Sequence, residues 1–565
     1  MKKYVTMSIL TGLLIAAPAS AQNFFGRFLD RFQEPQVDAP ILQTTDALPV
    51  SLTALTQADG LPLRVSDVIQ LALESNLSIG VNRFNPLISQ YAIDTAYQQF
   101  DPTMTFSGTV NRSTAASATQ IDGADVNRRL TGTYQISYNH NLDYGSNYSV
   151  SFRMNRSSTN SSFSTINPSY NGTLTYGFTQ PLLRGFGRDI NTSQITIARN
   201  NLEQSEIQFE QQVMALVVQA TNAYWDLVAA HEDIRVQEGA LERAQRTYMD
   251  NVRQVEIGTL APIEVVQAEQ AVASQREGLI VSQASLVQLE DTIKTMITRV
   301  PDPALVLLRL DPIDDIRDRT NEILPIEGAI RQALLNRPEM RQAELAIRNS
   351  EINLKVSKNN LLPQLDLTAQ YSQSGIGGSR NVISGGGFGG GQQVVTVIPG
   401  GIGGAFSDIF GFDFTGYQVG FSLQIPLGNR AARATVAQRT IQQRQTISQE
   451  ALLRQQIATE VRDAYNQIAT SQARIEAAEV SRELAERRLD AEERKFQLGA
   501  SSIRFVLDEQ QNLTSAQTTE IRALVAYVKA VVAYDNAIGR TLERNNIEIE
   551  ERNQPSIARV GTFQD

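Results

Sequence analysis

The chain has 565 residues, a formal net charge of −10, two histidines and no cysteine. The acidic balance argues against nucleic acid or an anionic membrane surface as a partner. Without cysteine there are no disulfides and no thiolate metal sites, and the isolated His140 and His231 give a metal little to bind, so no cofactor is expected.

Residues 1–21 read as a secretory signal: Lys2 and Lys3, a short apolar run, then Ala19-Ser20-Ala21 before Gln22. No cysteine stands at that site, so a lipid anchor there is not expected. Cleavage would remove two lysines and leave a charge of −12 in place of −10. Residues 22–62 are expected to be a flexible segment.

The rest of the chain repeats itself. Leu63 matches Leu324, Ile69 matches Ile330 and Ala72 matches Ala333; further on, Tyr224 matches Tyr465 and Gly258 matches Gly499. The spacing is far above that of solenoid repeats, which indicates duplication of one large unit. The first unit is placed at 63–300 and the second at 324–540, with a linker at 301–323 and a C-terminal tail at 541–565.

In the first unit, strands are predicted between about 102 and 181, at about 103–111, 129–140, 145–156 and 170–180. Tyr134, Ile136 and Tyr138 alternate with Thr133, Gln135 and Ser137, and Tyr148, Val150, Phe152 and Met154 continue the pattern. Period-2 alternation means strands with two unlike faces. A soluble half-buried sheet would alternate in the same way. Here the polar side is mostly Ser, Thr, Gln and Asn, and aromatics crowd the apolar side, as in membrane barrels. After the signal no run of 18 apolar residues occurs, so entry into a bilayer is expected only as a closed barrel.

Long helices are predicted at about 189–257 and 260–299. Val213, Ala220, Leu227, Ile234, Leu241, Tyr248 and Val255 recur at seven-residue steps, which implies supercoiling against neighbours. In the second unit strands are predicted at about 363–373 and 414–425, and long helices at about 429–498 and 502–540. Val461, Ile468, Ile475, Leu489 and Phe496 form the matching row, interrupted by Arg482. Between the two strands, the Gly-rich stretch 374–405 is expected to be a flexible extracellular loop; its "GGGFGGG" at 385–391 lacks the Lys-Ser/Thr of a phosphate loop.

Proline marks each passage between strand and helix: Pro102 and Pro363 on ascending strands, Pro181 and Pro426 on descending ones. Proline stops strand pairing because it has no N–H, and the glycines after Pro181 and Pro426 permit reorientation. At the far ends lie two turns, "VEIGTLAPIEVVQAEQ" (255–270) and "FQLGASSIRFVLDEQQ" (496–511). Gly258 and Gly499 suit the left-handed ends of helices, Pro262 a first helical turn, and Glu264 the positive end of a helix dipole.

From about 63 to 540 the chain resembles the TolC-like outer-membrane efflux family, through the duplication, the strand–Pro–long-helix joint "QPLLRGFG" and the two turns. The resemblance implies an α+β membrane fold: barrel strands joined to very long coiled helices, assembled as a homotrimer. About four strands per protomer would form a shared barrel among outer-membrane lipid, and the helices would form a periplasmic tunnel. Glu264, Phe505 and Asp508 would ring a gate, and Gly258, Thr259, Leu260, Gly499, Ala500 and Ser501 would contact a periplasmic adaptor. An inner-membrane transporter of RND, ABC or MFS type would supply the energy. The implied function is a passive exit duct for efflux or type I secretion. The rivals are a periplasmic coiled-coil scaffold and a trimeric adhesin-like stalk. Lone Ser and Asp residues without a base suggest no nucleophile, so no enzyme is expected. The first strand region is longer than the family's plainest pattern, and the extra hairpin at about 129–156 is expected to stand outside the shared barrel.

Overall fold

The computed structural model describes residues 60–117, 126–161, 164–299, 308–317, 323–384 and 393–549, together with Phe32 and Ala124. The chain divides into residues 1–45 and 46–565. The predicted signal, almost all of the segment 22–62, "GGGFGGG" and the end of the tail lie outside the described residues.

Each half begins with a short strand. β1 (Leu61–Leu63) pairs in parallel with β6 (Leu310–Pro312), so the stretch read as a linker carries a structural element. Leu61, Leu63 and Leu310 are buried in the main core with Val68, Ala72, Leu227, Ile293, Ala333, Val461 and Ile475. Burying each large aliphatic side chain contributes about 1.5–3 kcal/mol. This core joins both halves, through α1 (Val65–Ser75), α5 (Ser193–Glu256), α6 (Pro262–Ile297), α7 (Ile326–Asn336), α10 (Arg430–Gln497) and α11 (Ile503–Ala537). Between α1 and the strands lie α2 (Leu77–Asn82) and α3 (Phe84–Tyr97), and α8 (Pro338–Asn359) follows α7.

At about 1.5 Å per residue, the 64 residues of α5 and 68 of α10 make rods of roughly 100 Å. An 18-residue window of α5 reaches a mean hydropathy of 1.2, but half of it is buried in the core. That apolar stretch is the helix's packing face. The heptad rows pack inward: Val213, Ala220 and Leu227 on α5, and Val461, Ile468 and Ile475 on α10, are buried. Where Arg482 interrupts the second row, its Nε lies 2.7 Å from the Glu520 carboxylate on α11, so the charge is paired across the helix contact.

All the long strands belong to one antiparallel sheet. Its order is β2 (Thr103–Ala116), β3 (Val126–Asn141), β4 (Asn147–Thr159), β5 (Ile166–Pro181), β7 (Gln364–Ser384) and β9 (Phe414–Gln424). The hairpin β3–β4 is therefore not a separate cap. It sits inside the sheet, with thirteen residue pairs from Arg129↔Thr159 to Asn141↔Asn147, and β4 continues into β5. One protomer thus brings six long strands rather than about four.

The sheet is inside-out for a water-soluble protein. Met104, Tyr138, Val150, Tyr176, Tyr371 and Tyr417 form one row across all six strands. On this face Phe106 is 70% and Phe421 78% exposed, while Thr133, Gln135 and Ser137 on the other face are half-buried. Water would penalise that arrangement and hydrocarbon would stabilise it.

The Gly-rich stretch is not simply a loop. β7 continues through it to Ser384, β8 (Gln393–Ile398) pairs with the end of β7, and α9 (Ile402–Gly411) packs on the apolar face of the sheet. Ala405 and Ile409 are fully buried, and Phe406 stacks on Phe152 with ring centres 5.7 Å apart. The glycines form the seat: a Cβ on Gly375 would lie 2.1 Å from the Ala405 carbonyl oxygen, and one on Gly172 would lie 2.6 Å from Ile409 Cδ1. Gly375→Val is therefore expected to displace α9 and destabilise the fold by about 1–3 kcal/mol through overpacking. Protease cleavage around 402–411 should accelerate; unchanged protection would refute the seat.

Candidate functional site

Two regions carry the functional residues predicted from sequence: the strand–helix joints and the helix tips. At the joints, Pro102 and Pro363 stand one residue before β2 and β7, Pro181 closes β5, and Pro426 follows β9 by two residues. After Pro181 the chain turns through Gly185 (φ 81°) and Gly187 (φ 101°). Asn191 Nδ2 donates to both glycine carbonyls at 2.8 Å, and the Gly185 N–H donates to Asn359 Oδ1 at 2.7 Å. The second joint turns on Asn429 (φ 36°), whose Nδ2 donates to the Leu361 carbonyl at 3.1 Å. The two joints therefore turn on different residues.

The two tips share one backbone. The Gly258 N–H donates to the Val255 carbonyl and the Thr259 N–H to that of Gln254, both at 2.9 Å. Gly499 donates to Phe496 and Ala500 to Lys495, again at 2.9 Å. These are the paired bonds of a Schellman cap, with glycine in the left-handed region at φ 80° and 72°. Beyond each cap α6 and α11 begin, with Pro262 as the first residue of α6. Ser501 is partly turned inward: its Oγ donates to the Glu492 carboxylate, which also accepts from Lys495 Nζ at 2.9 Å. Those bonds, the Lys495 bond foremost, hold the Glu492 carboxyl below its usual range. Thr259, Leu260's neighbour Ala261, Gly499 and Ala500 remain exposed, and Leu260 is half-buried.

The predicted gate residues do not share one environment. Glu264 and Phe505 hold the same position, third in their helices, and Phe505 is exposed. Glu264 is half-buried, its Oε2 shielded from solvent with no hydrogen-bond partner, and its carbonyl accepts from the buried Asn251 at 3.5 Å. Asp508 lies one turn further along, exposed, in a groove of 460 Å³ between α6 and α11. Gln275 Nε2 donates to Gln511 Oε1 at 2.8 Å across the same two helices. Arg504, four residues before Asp508, lines the groove too, together with Gln267, Gln270 and Gln510. Sequence reasoning missed Arg504. The four-residue spacing to Asp508 on one helix was the available signal. The two histidines sit apart: His231 Nε2 is 3.0 Å from the Leu310 carbonyl and His140 lies on β3.

Residues 147–298 and 329–540 match the profile described as Outer membrane efflux protein. The pyoverdine export outer membrane protein OpmQ of Pseudomonas aeruginosa is 23% identical over 347 residues, 60% of this chain; the match spans 65% of that protein's length. Among solved structures, CusC, described in terms of transmembrane channel formation, superposes with a TM-score of 0.59 at 15% identity, over 90% of this chain and 98% of its own. The outer membrane protein VceC of Vibrio cholerae gives 0.58 at 15% identity, over 84% and 96%. The profile covers both repeats, and the strand-to-helix architecture is shared: the chain belongs to the outer membrane efflux protein family, with its TolC-like fold, and is an outer-membrane protein extending into the periplasm.

Proposed function

We propose that this chain is a passive exit duct, a homotrimer whose strands close one barrel in the outer membrane and whose helices enclose a periplasmic tunnel. The observation that carries the reading is the inside-out sheet, apolar residues exposed and polar residues half-buried opposite them, joined at four prolines to helices of which two, those after Pro181 and Pro426, run roughly 100 Å. A periplasmic scaffold has no use for the exposed apolar face, and an adhesin stalk does not interleave strands within each half. The tips, with Gly258, Thr259, Leu260, Gly499 and Ala500, meet a periplasmic adaptor. The adaptor links the duct to an inner-membrane RND, ABC or MFS transporter that supplies the energy. The duct itself performs no catalysis. Small-molecule export is favoured over protein secretion, because the relatives in Pseudomonas are named for pyoverdine export.

Purified protein in detergent is expected to have the mass of three chains by light scattering and to conduct ions across a planar bilayer. A monomer recovered from the soluble periplasmic extract, with no conductance, would overturn the duct.

A further inference from the structure

The geometry points to an eighteen-stranded barrel, closed by pairing β9 of each protomer with β2 of the next, so that the hairpin β3–β4 widens the pore wall instead of capping it. This rests on the trimeric duct proposed above and concerns how its wall closes.

Among the described residues, both outer strands of the sheet lack a second neighbour. β2 pairs only with β3 through fourteen residue pairs, and β9 only with β7 through eleven. Every residue of β2 is exposed. Soluble proteins protect such edges with charge, proline or bulges. Here β9 carries no charged residue, and β2 carries none before Arg112. These are edges built to be paired.

Direction and facing fit the pairing. Six antiparallel strands leave β2 and β9 running in opposite senses, so β9 meets a neighbouring copy's β2 antiparallel. Met104, Phe106 and Val110 on β2 lie on the same face as Tyr417, Val419 and Phe421 on β9. Joined edge to edge, the apolar band continues around the outside without a break.

Circumference gives the independent argument. At the strand end the helices stand four abreast, in the order α3, α5, α8, α10. With axes about 9–10 Å apart they span roughly 38 Å per protomer. Strands about 4.8 Å apart, tilted by about 40°, take up roughly 6.3 Å of circumference each. Six strands then span about 38 Å and four only about 25 Å at that tilt. Six strands therefore seat on four helices without splaying the joints. The helices α3 and α5 that serve β2 and β5 are neighbours, and β3–β4 fills the gap between those two strands. A barrel of this size leaves an aqueous channel.

The chain has no cysteine, so paired cysteines read out directly. Tyr417→Cys would be combined in turn with Met104→Cys, Phe106→Cys and Val110→Cys, all at exposed outward positions. As a control, Val419→Cys would be combined with Val150→Cys in β4. Oxidised in the outer membrane, at least one edge pair is expected to give a covalent trimer on a denaturing gel, and the control pair none. Cross-linking of β9 to β4 between protomers, with no edge pair reacting in a protein of trimeric mass, would overturn the inference, because β2–β3 would then lie outside a narrower wall. Edge cross-links closing at another copy number would refute the trimer while leaving the edge pairing intact.

Discussion

Tyr224→Ala is expected to destabilise the protein by about 3–5 kcal/mol, the cost of emptying a fully buried aromatic site. Tyr224 is 0% exposed and meets Trp225 edge-on at 5.5 Å. Its hydroxyl donates to the Leu63 carbonyl at 3.0 Å and accepts from the Asp314 N–H at 3.2 Å. It therefore holds the end of β1 and the chain just after β6 against α5, where the two halves of the duplication meet. Burial pushes the phenol well above its usual range, so it stays a neutral donor at any working pH. Tyr224→Phe keeps the ring but takes the hydroxyl from the Asp314 N–H, while the Leu63 carbonyl keeps the Ile313 N–H at 3.1 Å, and should cost about 1–3 kcal/mol. Denaturant unfolding followed by tryptophan fluorescence measures both, since Trp225 is the only tryptophan. Equal effects from the two substitutions would mean that the ring contributes nothing beyond its hydroxyl.

Charge selectivity should respond most to Asp508. Asp508 stands exposed in the groove between α6 and α11, whereas Glu264 is half-buried with one oxygen shielded. In the proposed trimer, three Asp508 carboxylates and three Arg504 guanidiniums would stand toward one tunnel end. Asp508→Asn removes the negative member and leaves the arginine uncompensated. The duct is expected to prefer cations and to be blocked by multivalent cations from the periplasmic side, and Asp508→Asn should weaken both by about tenfold through the changed local potential. Arg504→Gln should shift both in the opposite sense, and adding Glu264→Gln to Asp508→Asn should change little further. Stability should hardly move, because Arg504 and Asp508 are exposed and such surface charges contribute only about 0–1 kcal/mol. Single-channel recordings in asymmetric salt decide it. Unchanged reversal potentials in Asp508→Asn and Arg504→Gln alike would place this groove outside the conduction path.

Periodicity is a local property of the chain, and it carried most of the fold. Alternation in 133–138 or 417–425 depends only on which residues neighbour in sequence, and so does the heptad row from Val213 to Val255. The tip turns were legible for the same reason: a glycine at φ 80° or 72° closing a helix is decided within six residues. Arg482 showed in sequence as a break in its row, but its partner Glu520 lies on another helix and could not be read there.

Long-range pairing decided the rest. Alternation states that β3 and β4 are strands; only the register Tyr138↔Val150↔Tyr176 shows that their hairpin lies within the sheet, because backbone donors and acceptors carry no address in the sequence. Glycines at 172, 375 and 377 look like flexibility along the chain, yet together they form the seat of α9, since a missing Cβ matters only when another atom, here Ile409 Cδ1 or the backbone of α9, comes within 3 Å of its place. Glu264 and Asp508 are both acids near a helix start, and they differ because one carboxylate oxygen of Glu264 is shielded from solvent while Asp508 stands exposed in the α6–α11 groove. The sequence by itself determined the duplication, the two periodicities, the proline joints and the glycine tips, because each is set by neighbours along the chain. Which strands adjoin, which edges stay open and which carboxylates meet water were decided by the tertiary structure alone, because those depend on groups that burial brings together from hundreds of residues apart.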